Sequence, residues 1–71
     1  MKWFHTPANY NGSGLPERWH AYGRSGWCVE ARGGRFLLRQ EGTYVGTGDT
    51  LAEVQRQARD TERSARRRAR G

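Results

Sequence analysis

The sequence predicts an α+β domain: a small three-stranded antiparallel sheet packed by one C-terminal helix (βββα), preceded by an irregular, aromatic-rich N-terminal segment. Three observations carry this prediction. "WCVEAR" alternates, and across a Gly33-Gly34 turn Phe36 and Leu38 of "RFLLRQ" continue its apolar face, the pattern of two half-buried strands joined by a two-residue turn. Glu41-Gly42 offers a second tight turn that agrees with the first about which side chains face inward, and a one-residue slip in either would expose the apolar set. "TGDTLAEVQ" then supplies a helix start,. At 71 residues the chain holds one domain at most. So short a chain buries little apolar surface, which makes a partner or a second copy a candidate to complete it.

Taken in order, residues 1–26 carry both prolines and the turn-rich runs "NYNGSG" and "YGRSG", so irregular structure is expected there, with one short strand or helical turn between Leu15 and Tyr22. Trp3, Phe4 and Trp19 are expected to wrap the sheet, because a small domain needs every ring it has. The alternative is that they anchor in a partner's pocket.

Residues 27–62 form the sheet and helix. Trp27, Val29 and Ala31 fall on one face of the first strand and Cys28, Glu30 and Arg32 on the other,. The Gly33-Gly34 turn sets Ala31 opposite Phe36 and Val29 opposite Leu38, with the second strand over 35–40. The Glu41-Gly42 turn sets Leu38 opposite Val45 and Arg39 opposite Tyr44. Gly46 and Gly48 are expected to break the third strand, and Thr50-x-x-Glu53 fits a capping box with Asp49 as the rival cap. Leu51, Val54 and Ala58 make a stripe at helical spacing that can lie on the sheet. The stripe weakens to Thr61 and Ala65. Residues 63–71 are either the solvated end of this helix or a disordered basic tail.

Composition narrows the function classes. The chain is 34% hydrophobic with a net charge of +6, and its pI is near 10.7. The positive charge is almost all arginine, Lys2 being the single lysine. Arginine suits planar, bidentate contacts to phosphate, carboxylate or guanine. A high-GC genome produces the same bias, yet the basic balance predicts affinity for polyanions at low salt whatever its origin. The lone Cys28 excludes an internal disulfide, and no apolar stretch is long enough for a signal or membrane segment,. A cytoplasmic protein without a membrane role is expected, and in that setting the Asn11-Gly12-Ser13 acceptor pattern meets no glycosylating enzyme.

The candidate site is the outer face of the sheet, where Arg32, Arg35, Arg39 and Tyr44 are expected to gather with Glu30 and Leu37. An antiparallel sheet of two or three strands fits the DNA major groove, where arginines can fork onto guanine and hold phosphates. A solvated face whose charges discourage edge pairing explains the same residues without a ligand. The basic run Arg63, Arg66, Arg67, Arg68 and Arg70 would add sequence-independent phosphate contacts, although cations also suit a helix C-terminus on their own. "GTGDT" has glycines before a helix, but Asp49 would repel a phosphate, so it reads as a turn and cap. Cys28 should lie across from Arg39, a neighbour that lowers a thiol pKa. His5, His20 and one cysteine fall short of a structural zinc set, and no nucleophile is placed beside a base. We therefore expect neither an enzyme nor a cofactor or metal.

"WCVEARGGRFLLRQEGTYVGTGDTLAEVQRQA", residues 27–58, resembles the three-stranded-sheet-plus-helix DNA-binding domains of plant ethylene-response factors and the arm-binding domains of tyrosine recombinases. The likeness lies mainly in "YVGTGDTLAEVQRQA", similar to their last strand, turn and amphipathic helix, with Gly48 standing where an aromatic residue is usual. It implies a sheet face docked in the major groove, which maps by position onto Arg32, Arg35, Arg39 and Tyr44. The tiny size and arginine bias also look like a small phage protein of a high-GC host. The leading expectation is a nucleic-acid-binding accessory or regulatory protein, with DNA as the favoured ligand. The alternatives are a phage-type inhibitor or adaptor that holds a host protein through Trp3, Phe4 and Trp19, or a structural subunit of a larger assembly. The sequence leaves the oligomeric state open.

Overall fold

The computed structural model describes residues 2–23 and 26–69, and helix side chains as far as Ala65. Five strands follow one another in an antiparallel meander: β1 Trp3–Thr6, β2 Arg18–Ala21, β3 Trp27–Arg32, β4 Arg35–Gln40 and β5 Thr43–Gly48. A single helix, α1 Leu51–Ala69, closes the chain. The α+β class with a C-terminal helix is as expected, but the sheet has five strands where three were expected.

The two extra strands come from the segment expected to be irregular. "RWHA" alternates and "WFHT" does not, and each is only four residues long, too short to stand out among the surrounding turn residues. They exist because β3 has a free edge to pair with: Trp19 lies opposite Val29 and His20 opposite Cys28. β1 in turn pairs with β2, Trp3 opposite Ala21 and Phe4 opposite His20. Trp3 and Trp19 do pack against the core, as strand residues rather than as a wrapping tail. The loop between β1 and β2 turns tightly over Tyr10–Gly12. It is tied by the Asn9 amide donating to the Leu15 carbonyl (2.9 Å) and by Asn9 Oδ1 accepting from the Gly14 amide (2.8 Å).

The core sits between the sheet and α1. Trp27, Val29, Leu38, Val54 and Ala58 are buried, with Trp3, Trp19, Ala21, Phe36 and Leu51 packed around them. The β3–β4 register is the expected one, Val29 opposite Leu38 and Ala31 opposite Phe36. Gly33 and Gly34 both have positive φ (55° and 77°), which a two-residue hairpin turn of this hand requires. Glu41 (φ 50°) and Gly42 (φ 82°) repeat that geometry.

In β5 the register shifts. Arg39 faces Tyr44 as expected, but Leu38 faces Gly46, and the extra residue Val45 bulges out of the ladder. The helix explains this. A Cβ on Gly46 would lie 2.5 Å from the Gln57 side-chain oxygen, and one on Gly48 would lie 3.1 Å from Val54. Glycine lets α1 come this close without displacing Gln57 or Val54, and the bulge puts Gly46 rather than Val45 inward. The two glycines therefore do not break the strand. They let the helix lie on it, and Gln57 Nε2 donates to the Thr47 carbonyl across the contact (2.9 Å).

The capping box forms. Thr50 Oγ1 accepts from the Glu53 amide (3.2 Å) and Glu53 Oε2 accepts from the Asp49 amide (2.9 Å), satisfying two backbone donors at the helix start. Asp49 itself does not cap. At the other end of the core, the Trp27 indole N–H donates to Glu62 (3.1 Å), pinning the fourth helical turn to β3. Of the two expectations for residues 63–71, the helical one holds through Ala69; Arg70 and Gly71 lie outside the described residues.

Two substitutions test this packing. Leu38→Ala should lower unfolding free energy by about 2–5 kcal/mol in urea titration, a large share of the roughly 4–10 kcal/mol available to a domain this size. Glu41→Asn should raise it by about 0.5–1 kcal/mol, because asparagine tolerates the left-handed φ that costs glutamate.

Candidate functional site

The face of the sheet turned away from α1 is built by strand alternation. Where Trp3, Trp19, Val29 and Leu38 point inward, their neighbours point out. One row of cross-strand partners runs Phe4, His20, Cys28, Arg39, Tyr44, and the next runs Thr6, Arg18, Glu30, Leu37, Thr47. Tyr22 lies beside the first row, two residues on from His20, its amide bonded to the Lys2 carbonyl (2.9 Å). Its ring tilts against Phe4 (5.0 Å), which also stacks on His20 (5.4 Å). Phe4, Tyr22 and Tyr44 are 43%, 60% and 60% exposed, so rings stand open at both ends of the row.

Between those rings lies the charge. Arg32 and Arg39 flank Glu30, at 3.0 Å and 3.7 Å, and Arg35 lies 3.6 Å from Asp49. Glu30 is the recessed member, its side chain 15% exposed, so it orients the two guanidinium groups while they remain at the surface. Arg18 makes no ion pair among the described residues. Arg18 Nη1, Arg39 Nε and His20 Nδ1 are buried without a hydrogen-bond partner. Such atoms are rare in folded proteins and mark places where a ligand or water is expected to bond.

Cys28 sits across from Arg39 as expected, but its pKa moves the other way. Half-burial pushes the thiol up and Glu30 adds to this, outweighing the lowering from Arg18 and Arg39. The expectation of an activated thiol is therefore corrected: desolvation on a packed sheet exceeds the pull of two guanidinium groups whose charge is shared with solvent and Glu30. With no raised nucleophilicity, Cys28 is a packing residue of the face.

Of the residues singled out from sequence, Arg32, Arg35, Arg39 and Tyr44 do share the outer face. Arg63 is on the exposed surface of α1, and the helix carrying it packs on the opposite face of the sheet. Arg66, Arg67 and Arg68 lie in the last turns of α1, and Arg70 falls outside the described residues. Trp3, Phe4 and Trp19 do not form one patch: Trp3 and Trp19 turn toward the core and Phe4 turns to the outer face. Sequence reasoning assigned Phe4 to a different, partner-anchoring role and did not place Arg18, His20 or Tyr22 on this face. The alternation Arg18, His20, Tyr22 against Trp19, Ala21 in "RWHAY" was the available signal,.

Elsewhere the described residues offer little chemistry. A groove of about 230 Å³ between α1 and the ends of β3 and β4 is lined by Trp27, Gln40, Thr61, Glu62 and Ala65, and its one titratable group is already bonded to Trp27. No cluster of potential metal ligands occurs among the described residues. No described helix is long and apolar enough to cross a membrane. No protein-family model, curated protein or solved structure matches the chain.

The thiol provides a check on the face. Iodoacetamide should alkylate Cys28 more slowly in the native protein at pH 8 than in denaturant, because the folded state holds it protonated and half-covered. Equal rates would show that the sheet does not bury it.

Proposed function

We propose that this chain is a small nucleic-acid-binding protein that contacts its ligand through the outer face of the sheet, with the basic end of α1 as an electrostatic accessory. The observation that carries the reading is the company kept on that face. Arg18, Arg32, Arg35 and Arg39 stand there with a single carboxylate among their strand partners, Glu30, and exposed aromatic rings lie at both ends. Arginine with interleaved aromatics is the combination that binds phosphate and bases together. The strands from residues 1–26 strengthen the case, because they add Arg18 and Lys2 to a face whose β3–β5 portion carries its charge partly neutralised. The role proposed for it is accessory or regulatory.

Affinity for nucleic acid measured across a salt series tests the proposal. Arg18→Ala and Arg39→Ala should each weaken binding and reduce the slope of log K against log salt by about 1. Glu30→Gln should tighten binding, since it removes the carboxylate that Arg32 and Arg39 share. Replacing Arg66, Arg67 and Arg68 with glutamine should weaken binding less than the two sheet substitutions together. Binding that disappears with the helix arginines, and ignores Arg18 and Arg39, would contradict a sheet interface.

A further inference from the structure

Resting on that reading, we infer that the ligand is a single strand, laid across β1 to β5 with its bases stacked on the exposed rings, rather than a duplex. The first argument is width. Three strands span about 10 Å and fit a major groove of about 12 Å, whereas the four spacings of this five-stranded sheet span roughly 19 Å and do not. The β1–β2 hairpin that adds Phe4, His20 and Tyr22 also blocks the flat entry of β3–β5 into a groove.

The second argument is the rings. Base faces are hidden inside a duplex and available only in unpaired strands, where aromatic side chains stack on them. Phe4 and Tyr22 form one platform over β1 and β2, and Tyr44 another on β5. Cross-strand stacking with His20 gives Phe4 a structural role. It gives Tyr44 none, since that ring is 60% exposed and makes no ring contact among the described residues. In a chain this poor in apolar side chains, leaving three large rings in water needs a reason.

The third argument is the path between the platforms. Arg39 lies in the same row as Phe4 and Tyr44, and Arg18 in the row beside it. Both guanidinium groups are partly exposed, and their solvent-facing N–H groups are donors for the phosphates of a strand that runs from one platform to the other. Rings at the ends and guanidinium groups between them suit a ligand that offers bases and phosphates in alternation.

The experiment is fluorescence anisotropy with the full chain, using a labelled mixed-sequence strand of about twelve nucleotides, as DNA and as RNA, and the same DNA strand annealed to its complement. The single strand should bind at least tenfold tighter than the duplex. Tyr44→Ala, and Phe4→Ala combined with Tyr22→Ala, should each reduce single-strand affinity by about 5- to 50-fold while leaving duplex affinity unchanged. Tyr44→Phe should keep the affinity, and since Tyr44 is exposed that pair of variants reads stacking apart from folding. Duplex binding as tight as single-strand binding, or ring variants without effect where Arg18→Ala and Arg39→Ala still weaken binding, would overturn the single-strand inference and leave the nucleic-acid reading standing. No binding of either form at low salt would overturn both and leave the face to an acidic protein.

Discussion

A sheet has two faces, and the single described helix covers one of them. That constraint organises the molecule. α1 packs mainly on β3, β4 and β5, and the buried set it completes is small: Trp27, Val29 and Leu38 from the sheet, Val54 and Ala58 from the helix. Gly46 and Gly48 face inward where α1 comes close, and the bulge at Val45 that places them there leaves Tyr44 on the outer face beside Arg39. The side chains left outside are set by the same alternation that fills the core, so neither face can change without the other.

The outer face is not explained by stability. Exposed ion pairs such as Arg32–Glu30 contribute about 0–1 kcal/mol, and the unpartnered nitrogens of Arg18 and Arg39 cost free energy rather than supply it,. A face selected only for solubility would mix charges of both signs and carry few large rings. This one concentrates arginines around a single recessed glutamate and leaves Phe4, Tyr22 and Tyr44 open. The groove beside Trp27 and the thiol of Cys28 offer no competing site, the first because its carboxylate is already bonded and the second because burial keeps it protonated.

The sequence made the second half of the fold legible because its signals are local and mutually consistent. Gly33-Gly34 and Glu41-Gly42 set the turns, "WCVEAR" set the faces, and Thr50 with Glu53 set the helix start. What stayed hidden depended on contacts far apart in the chain. β1 and β2 are four-residue strands that depend on the edge of β3 and on Trp3 and Trp19 reaching the core, so the short alternation in "RWHAY" does not by itself set them apart from loop. The bulge at Val45 answers to Gln57 and Val54, which come later in the sequence and act through the helix. The candidate site followed suit: Arg32, Arg35, Arg39 and Tyr44 were readable, while Phe4, Arg18, His20 and Tyr22 became part of it only once the sheet had five strands.

The account stands on the outer face being the surface that meets nucleic acid, and side-chain NMR during titration with a short oligonucleotide tests this most directly. The ring resonances of Phe4, Tyr22 and Tyr44 and the guanidinium Nε–H signals of Arg18 and Arg39 should shift together. The Trp27 indole N–H, bonded to Glu62 between sheet and helix, and the Val54 methyls in the core should stay in place. Shifts confined to α1 or to the loop around Tyr10, with the sheet rings unmoved, would contradict it.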